Sequence, residues 1–363
     1  MNPAFWKDKR VFLTGHTGFK GSWLSLWLQS LGARTTGYAL DPPTDPSLFE
    51  MAGVSQGMAS VRGDVRDREN LAAAVREASP EIVIHMAAQP LVRTSYEQPV
   101  ETFHTNVLGT IHLMEAVRQT PGVRALVVVT SDKCYENREW FWSYREKSAL
   151  GGDDPYSASK ACAELAFAAY LKSFFSEAEF GRHGVACASV RAGNVIGGGD
   201  WAKDRLVPDS MRALLAGEAM HVRNAHSTRP WQHVLEPLNG YMTVAERLHT
   251  YGPRFVGSWN FGPSDGSERT TGWVVEKLHA LWGASQPWTV GSTENEPHEN
   301  TYLKLDSSKA RALLDWTPLL DLPTTLEWVV SWNKALQSKA DIRQVTVDQI
   351  RTFMALRGIE AVA

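Results

Sequence analysis

"RVFLTGHTGFKG", Arg10 to Gly21, decides the fold. Its first residues form a short run rich in apolar side chains, bounded by glycine, and read as a β-strand. Gly15, Gly18 and Gly21 then recur at every third position, and "SWLSLWLQSLG" continues as a helical pattern closed by Gly32. A strand, a glycine turn and a helix start, in that order, are what a phosphate-cradling βα turn requires. The glycines allow a tight turn and bring backbone N–H groups close to a pyrophosphate, and the helix N-terminus favours negative charge. A glycine-rich turn without a ligand would share the three glycines, so the flanking strand and helix carry the reading.

The same alternation continues outward. "RTTGYAL" is a second strand and "ASVRGD" a weaker third, followed by the helical "RENLAAAVREA". "EIVIHMAA" and "ALVVVTS" are the fourth and fifth strands, each followed by a long helical pattern: "PVETFHTNVLGTIHLMEAVRQT" and "PYSASKACAELAFAAYLKSFF". "VACASVRAGNV" is the sixth. Strands alternating with helices predict an α/β fold, a Rossmann-type doubly wound parallel sheet that binds ligands beyond the carboxyl ends of its strands. After residue 192 glycines cluster and loops lengthen. The expected organisation is a dinucleotide-binding domain over 1–192 and a smaller mixed α/β C-terminal substrate lobe over 193–363, with some segments returning to the first domain. The final helical stretch, "TVDQIRTFMALRGI", suits packing on the body or on a partner subunit.

The chain has 363 residues, 43% of them hydrophobic, and a net charge of -3. That is enough for a large core. No basic run predicts nucleic-acid binding, and no apolar stretch approaches the roughly 20 residues that span a bilayer. Three widely spaced cysteines with no CxxC pair argue against a disulfide framework or a zinc site, so no metal is expected. The absence of a leader-like segment points to the cytoplasm. Most of the 14 tryptophans are expected in the core or in a pocket wall.

Asp41, at the end of the second strand, lies twenty residues after Gly21. A carboxylate there accepts hydrogen bonds from an adenosine ribose and repels a 2'-phosphate, which favours NAD over NADP; it also suits the start of the turn "DPP". Asp64 is placed to accept from an adenine amino group, or to cap the helix that follows.

"TGHTGFKG", "HMAAQP", "TNVLGT", "TSDKCY", "YSASK" and "RAGNV" occur in that order and at suitable spacing over nearly the whole chain. In these segments the chain resembles the extended short-chain dehydrogenase/reductases that act on nucleotide sugars. The resemblance implies that Gly15, Gly18, Phe19, Gly21, Asp41, Asp64, Val65, Ala87, Ala88 and Gln89 line the cofactor. It further implies that Asn106 supports the catalytic loop and that Tyr156 and Lys160 hold the nicotinamide ribose.

Tyr156 and Lys160 are one helical turn apart and share a face. A tyrosine hydroxyl, with an ordinary pKa of about 10, becomes a useful base when a nearby ammonium and a positive nicotinamide ring stabilise the phenolate. Ser131, at the end of the fifth strand, is expected to bond the same substrate oxygen. Those three residues suffice to oxidise a sugar hydroxyl. Asp132 and Lys133, directly after Ser131, are surplus to it. Oxidation to a ketone acidifies the hydrogen on the next carbon, so an added acid and base can eliminate water one carbon further on. Asp132 would protonate the leaving hydroxyl and Lys133 would remove the acidified proton.

Nucleotide-sugar 4,6-dehydratases carry Asp-Glu at these two positions, and here Glu is replaced by Lys. "TSDKCYENREW", "YALDPPTDPSLF", "GGGDWAKDRLVPD" and "RPWQHVLEPLNGY" resemble the members that act on CDP-glucose. The resemblance implies a lyase with bound NAD, a nucleotide-sugar substrate, and a homodimer or homotetramer built through the helices after strands four and five. Its product class feeds deoxysugars of surface polysaccharide such as lipopolysaccharide. Asn194, Arg205 and Arg229 are then the candidates for the diphosphate, with His298 a further one. Leu206 and Val207 would wall the base, and Trp201 and Trp231 lie nearest these motifs. The rivals are a nucleotide-sugar epimerase, which needs no Asp132–Lys133 pair, a 4,6-dehydratase that acts on a dTDP- or GDP-sugar, and a non-catalytic NAD-sensing regulator, which would not need Tyr156 and Lys160. The role of the aromatic insert "WFWSYRE" is open; its place in the sequence suggests the mouth of the site.

Overall fold

The computed structural model describes residues 1–284, 286–291 and 302–359. Its centre is a parallel sheet of β1 (Arg10–Thr14), β2 (Arg34–Ala39), β3 (Ala59–Arg62), β4 (Ile82–His85), β5 (Ala125–Val129), β6 (Ala186–Arg191) and, from the second half of the chain, a strand at Gly257–Asn260. Every residue of β4, β5 and β6 is buried, which is why these strands lack apolar–polar alternation; β5 is apolar throughout, and the polar residues of β4 and β6 lie toward their carboxyl ends. β3 is a largely exposed edge strand, in keeping with its weak pattern. The strand order runs outward from β1 through β2 to β3 on one side, and from β4 through β5 and β6 to Gly257–Asn260 on the other. The direction of winding therefore reverses between β1 and β4, which opens a crevice at their carboxyl ends.

Helices cover both faces. One is covered by α1 (Phe19–Ser30), whose Trp23 and Trp27 join a core that includes Leu238, Phe261, Trp332 and Phe353. The other is covered by α2 (Arg68–Ala78), α3 (Gly109–Gln119) and α4 (Pro155–Ser173), which contribute Leu71, Val75, Leu113, Val117 and Phe167. Asp67 caps α2, not Asp64, by accepting the N–H of Asn70. Asp154 caps α4 by accepting from Ser157, with Pro155 in the first turn. The long helical pattern before β5 is interrupted. It consists of Pro99–Phe103, a π-turn at His104–Leu108, and α3. Such turns occur where a side chain inside a helix must be re-aimed, and the buried residue within this one is Asn106.

The second half builds short elements beside the sheet. β7 (Val195–Ile196) pairs with β9 (Gln232–His233), and β8 (Thr228–Pro230) pairs with β11 (Glu268–Thr270). Helices α5 (Leu206–Ala216), α7 (Thr271–Trp282) and α8 (Leu322–Gln337) enclose a separate apolar cluster of Ile196, Val207, Met211, Trp231, Val274 and Val329. Between these pieces α6 (Leu235–Tyr251) and β10 (Gly257–Asn260) return to the large sheet, where β10 pairs with β6. The last helix, α9 (Ile342–Leu356), packs on the body: Phe353 meets Trp27 edge-on at 5.8 Å. Among the described residues six tryptophans are fully buried, whereas Trp142 is exposed.

Candidate active site

The βα turn is shaped by its glycines. Gly15 has φ +76°, and a Cβ there would lie 2.8 Å from the Ala87 nitrogen; a Cβ on Gly21 would lie 2.1 Å from the Gly15 carbonyl oxygen. Both positions exclude a side chain by backbone packing. Gly18 differs. A Cβ there would meet nothing nearer than the Gly15 oxygen at 3.5 Å, and no side chain caps the first turn of α1. The N–H groups at the start of α1, from Phe19 onward, are thus left for an anion, which is the fit a dinucleotide pyrophosphate needs. Thr14 Oγ1 accepts from the backbone N–H groups of Met86 and Ala87, each at 3.1 Å, and so ties β1 to β4 at the reversal.

The other expected cofactor residues rim the same crevice. Asp41 is exposed and pairs with Arg62 at 2.9 Å, so its charge is partly offset and its argument against a 2'-phosphate is weaker than the sequence suggests. Asp64 binds the Arg66 side chain at 2.6 Å and the Arg66 N–H at 2.9 Å. Val65 is buried against Gly109, leaving its backbone at the strand end. Ala87, Ala88 and Gln89 are half-buried at the end of β4. Asn106 accepts from the Gln89 N–H at 2.8 Å and donates to the Gln89 oxygen at 3.1 Å and to Ser159 on α4 at 2.9 Å. It therefore couples the cofactor edge to the helix that carries Tyr156.

Ser131 leaves β5 and caps a short 3₁₀ turn, Asp132–Cys134, by accepting the Lys133 N–H at 3.2 Å. Its hydroxyl donates to Asp132 Oδ1 at 2.9 Å. The Asp132 carboxylate fits because residue 193 is glycine: a Cβ there would sit 1.7 Å from Asp132 Oδ2. Gln232 Nε2 donates to the Gly193 oxygen at 3.1 Å and holds that backbone in place. Tyr156 lies in the first turn of α4, where its N–H donates to Ser95 Oγ at 3.1 Å. Burial pushes its phenol up to about 12, against a downward pull from a hydrogen bond with Ser131. The Arg205 guanidinium also pulls it down, but burial and the nearby Asp132 outweigh both. Lys160 Nζ lies 5.9 Å from the Tyr156 ring centroid, and burial brings its amine down to about 8, with Lys20 adding to the fall. Lys133 opens onto a small cleft lined also by Asn137, Asp153, Ser157 and Leu303.

Beneath this turn lies a buried polar network. Arg191 on β6 binds Glu164 on α4 through two hydrogen bonds at 2.6 and 2.8 Å. Glu164 also accepts from Thr130 at 2.5 Å and Ser189 at 2.8 Å. Burial alone would lift the Glu164 carboxyl, but Arg191 and the two hydroxyls hold it below the usual carboxylate range. Arg191 further donates to the Tyr135 hydroxyl at 2.6 Å, and Tyr135 donates to Asn260 on β10 at 2.8 Å. The aromatic insert continues from here. Tyr144 stacks on Tyr135 with centroids 5.3 Å apart, Trp140 follows at 5.5 Å, and Phe141 and Trp142 point outward, 91% and 72% exposed.

The second half contributes Arg205 at the start of α5. It pairs with Asp200 at 3.3 Å and reaches the Pro90 oxygen at 3.5 Å, spanning from the lobe to the cofactor edge. Asn194 has a left-handed backbone, φ 50°, and its carbonyl accepts from the Gln232 N–H at 3.2 Å. Leu206 is half-buried at the first position of α5, but Val207 is only 2% exposed and turns into the lobe's core. Arg229 lies on β8, opposite Arg269 of β11. Trp231 is also in the core, its indole N–H bonded to the Arg269 oxygen at 3.2 Å, so it offers no stacking face. His298 lies outside the described residues.

Residues 12–328 match the GDP-mannose 4,6 dehydratase family. The chain belongs to that family. A CDP-glucose 4,6-dehydratase of Salmonella typhimurium is 55% identical over 355 residues, covering 98% of this chain and 99% of the relative. A dTDP-glucose 4,6-dehydratase of Xanthomonas campestris is 26% identical, covering 88% and 92%. Among solved structures, the UDP-glucose 4-epimerase of Thermus thermophilus in complex with NAD superposes with a TM-score of 0.75 at 25% identity, covering 89% of this chain and 98% of that one.

Three features of this family member escaped the sequence reading. Lys20, inside the glycine loop, has an amine that burial lowers to about 8; Arg205 acts in the same direction, and Asp132 and Asp200 oppose it. A lysine between Phe19 and the last glycine of the loop was the available signal. Gly193 and the Glu164–Arg191 pair had none, because their importance lies in contacts between segments far apart in sequence.

Proposed function

We propose that this chain converts CDP-D-glucose to CDP-4-keto-6-deoxy-D-glucose and water, with NAD held in the crevice at the ends of β1 and β4. The observation that carries the reading is the Ser131–Asp132–Lys133 turn beside Tyr156 and Lys160, in a chain 55% identical to a CDP-glucose 4,6-dehydratase. NAD supplies a two-electron acceptor for C4 and returns the same electrons at C6. Gly18 and Phe19 would hold its pyrophosphate, Asp41 its adenosine ribose, Asp64 and Val65 its adenine, Ala87 to Gln89 its middle, and Tyr156 and Lys160 its second ribose. Tyr156 takes the proton from the C4 hydroxyl. Lys133 takes the proton from C5, which the C4 ketone has acidified. Asp132 protonates the C6 hydroxyl as it leaves, and Lys133 returns its proton to C5. Arg205, Arg229 and Asn194 bind the diphosphate, with Leu206 against the base.

The Asp132–Lys133 pair sets this reading apart from an epimerase, which has no elimination to catalyse. A homodimer or homotetramer is supported by exposed apolar residues on the helices after β4 and β5: Val100, Leu108 and Leu165 are 71%, 45% and 58% exposed. The cytoplasm suits a nucleotide-sugar substrate; among the described residues no helix is long and apolar enough to cross a membrane. The product class supplies deoxysugar units of surface polysaccharides. The test is turnover of CDP-, dTDP-, UDP- and GDP-glucose side by side, with the 4-keto product measured and absorbance at 340 nm followed. CDP-glucose should give product with no net change at 340 nm. Product from dTDP-glucose alone would overturn the substrate assignment.

A further inference from the structure

Thr14 and His85 end β1 and β4 and are partners in register where the winding of the sheet reverses. Their hydrogen bonds fix where each proton lies. A threonine hydroxyl has one proton to give and two lone pairs. Thr14 Oγ1 accepts from the N–H groups of Met86 and Ala87, each at 3.1 Å, so its own proton goes to His85 Nδ1 at 2.7 Å. Nδ1 is thus an acceptor, and the imidazole proton sits on Nε2. On that side Thr110 Oγ1 donates to the Asn106 oxygen at 2.7 Å and accepts from His85 Nε2 at 3.1 Å. Asn106 donates to Ser159 at 2.9 Å, and Ser159 donates to the Tyr156 carbonyl at 2.7 Å. All these side chains are buried. Burial and the charge of Lys160 hold the His85 ring down to about 3, so it stays neutral.

The two ends of this chain of hydrogen bonds are the two halves of the site. At one end the segment after β4 packs on the glycine turn, since a Cβ on Gly15 would lie 2.8 Å from the Ala87 nitrogen. Asn106 also holds both backbone groups of Gln89, at 2.8 and 3.1 Å. At the other end is the backbone of Tyr156. His85 joins them, with one ring nitrogen for each side. We propose that His85 is a positioning residue that locks the cofactor edge to the helix carrying Tyr156, and so keeps the reduced cofactor in place between hydride removal and hydride return. This deepens the activity assigned above and rests on it. The sugar oxidised at C4 must stay beside the NADH that carries its electrons until C6 is ready to receive them. A fully paired buried network has one arrangement, so the two halves cannot shift apart while the sugar waits. Without the lock, the cofactor edge moves independently of Tyr156, and NADH escapes before its hydride is returned.

The full chain is compared with its Thr110→Val, Thr110→Ser and His85→Phe variants. Two quantities are read: the NADH that reaches solution per 4-keto-6-deoxy product formed from CDP-glucose, and the Kd for NAD by calorimetry without sugar. Thr110→Val removes one hydroxyl at nearly constant shape, and His85→Phe removes both ring nitrogens. Each should raise the released NADH per product and the Kd by about tenfold or more, the scale of a buried polar group left unpaired. Thr110→Ser keeps the hydroxyl and should match the wild type in both. Because NADH is counted per product, a loss of folded protein cancels. If His85→Phe does not fold, Thr110→Val decides alone. A wild-type release ratio in Thr110→Val, or a change in Thr110→Ser as large as in Thr110→Val, overturns the proposal. A wild type that gives no product from CDP-glucose overturns the activity itself, and the lock is then judged on the Kd for NAD.

Discussion

The turn that carries Ser131 to Tyr135 and the stretch from Asp200 to Arg229 meet at the same site, yet they are held by opposite means. The turn rests on the Glu164–Arg191 pair, both side chains 2% exposed or less, with Thr130, Ser189 and Tyr135 completing the hydrogen bonds. The stretch is held by partly exposed pairs: Arg205 with Asp200, and Arg93 and Arg223 with Asp204. Buried charges are costly unless every partner is present, so the turn has one arrangement; exposed pairs contribute little and are screened by salt. The difference teaches where precision is needed. In the proposed reaction the acid must reach the leaving oxygen and the base the neighbouring carbon, whereas the lobe only has to bind a nucleotide diphosphate.

Four experiments would sharpen or break this comparison. The largest effect is expected from Asp132→Asn, which keeps the shape of the turn and removes its acid. Turnover should fall by about 10²–10⁴-fold, while a rapid-quench assay still finds the C4-oxidised sugar; complete loss of oxidation would mean that Asp132 acts earlier. Next is Arg191→Met, which strands Glu164 as a buried charge. It should cost about 3–5 kcal/mol in urea unfolding, and a loss below about 1 kcal/mol, within the range of surface pairs, would show that the two regions are not held differently.

Acid should act on the sheet side in the same way. His16 is held down to about 4 by burial with Arg62, His85 to about 3 by burial with Lys160, and His233 to about 3 by burial. Unfolded histidines take up protons below about 6.5, so between that pH and roughly 3–4 the unfolded state binds more protons and stability falls as pH drops. Tm should decline through this window, and His85→Gln should flatten the decline; an unchanged slope would show that His85 does not carry it. The smallest effect belongs to Asp204→Asn, which suits the left-handed backbone at this position, φ 62°. It should change stability by no more than about 0.5 kcal/mol, and less at high salt, by thermal unfolding at two salt concentrations. A larger loss would mean the lobe is as tightly determined as the turn.

Much of this was legible in the primary sequence. The six strands of the first half follow from apolar runs of the right length, and the Gly15–Gly21 turn from its flanking elements. Ser131, Asp132, Lys133, Tyr156 and Lys160 stand out as candidates because their spacing is local: consecutive residues after one strand, and one turn of one helix. Where the reading was incomplete, the cause was non-local. The π-turn at His104–Leu108 exists while Asn106 bonds Gln89 and Ser159, two segments away in either direction. Val207 and Trp231 carry the right residue types for a pocket wall, but the lobe needs them as core. The aromatic insert reads as an anomaly until Tyr144 is seen stacked on Tyr135, above Arg191.

By itself the sequence determined the sheet, the nucleotide turn and which side chains are proposed to react, because hydrophobic period, glycine placement and helical spacing act within a few residues. Only the tertiary structure decided how those side chains are used. The absence of a Cβ at residue 193 gives Asp132 its place, and a buried ion pair between α4 and β6 fixes the turn. In the turn so held, Ser131 donates to Asp132 Oδ1.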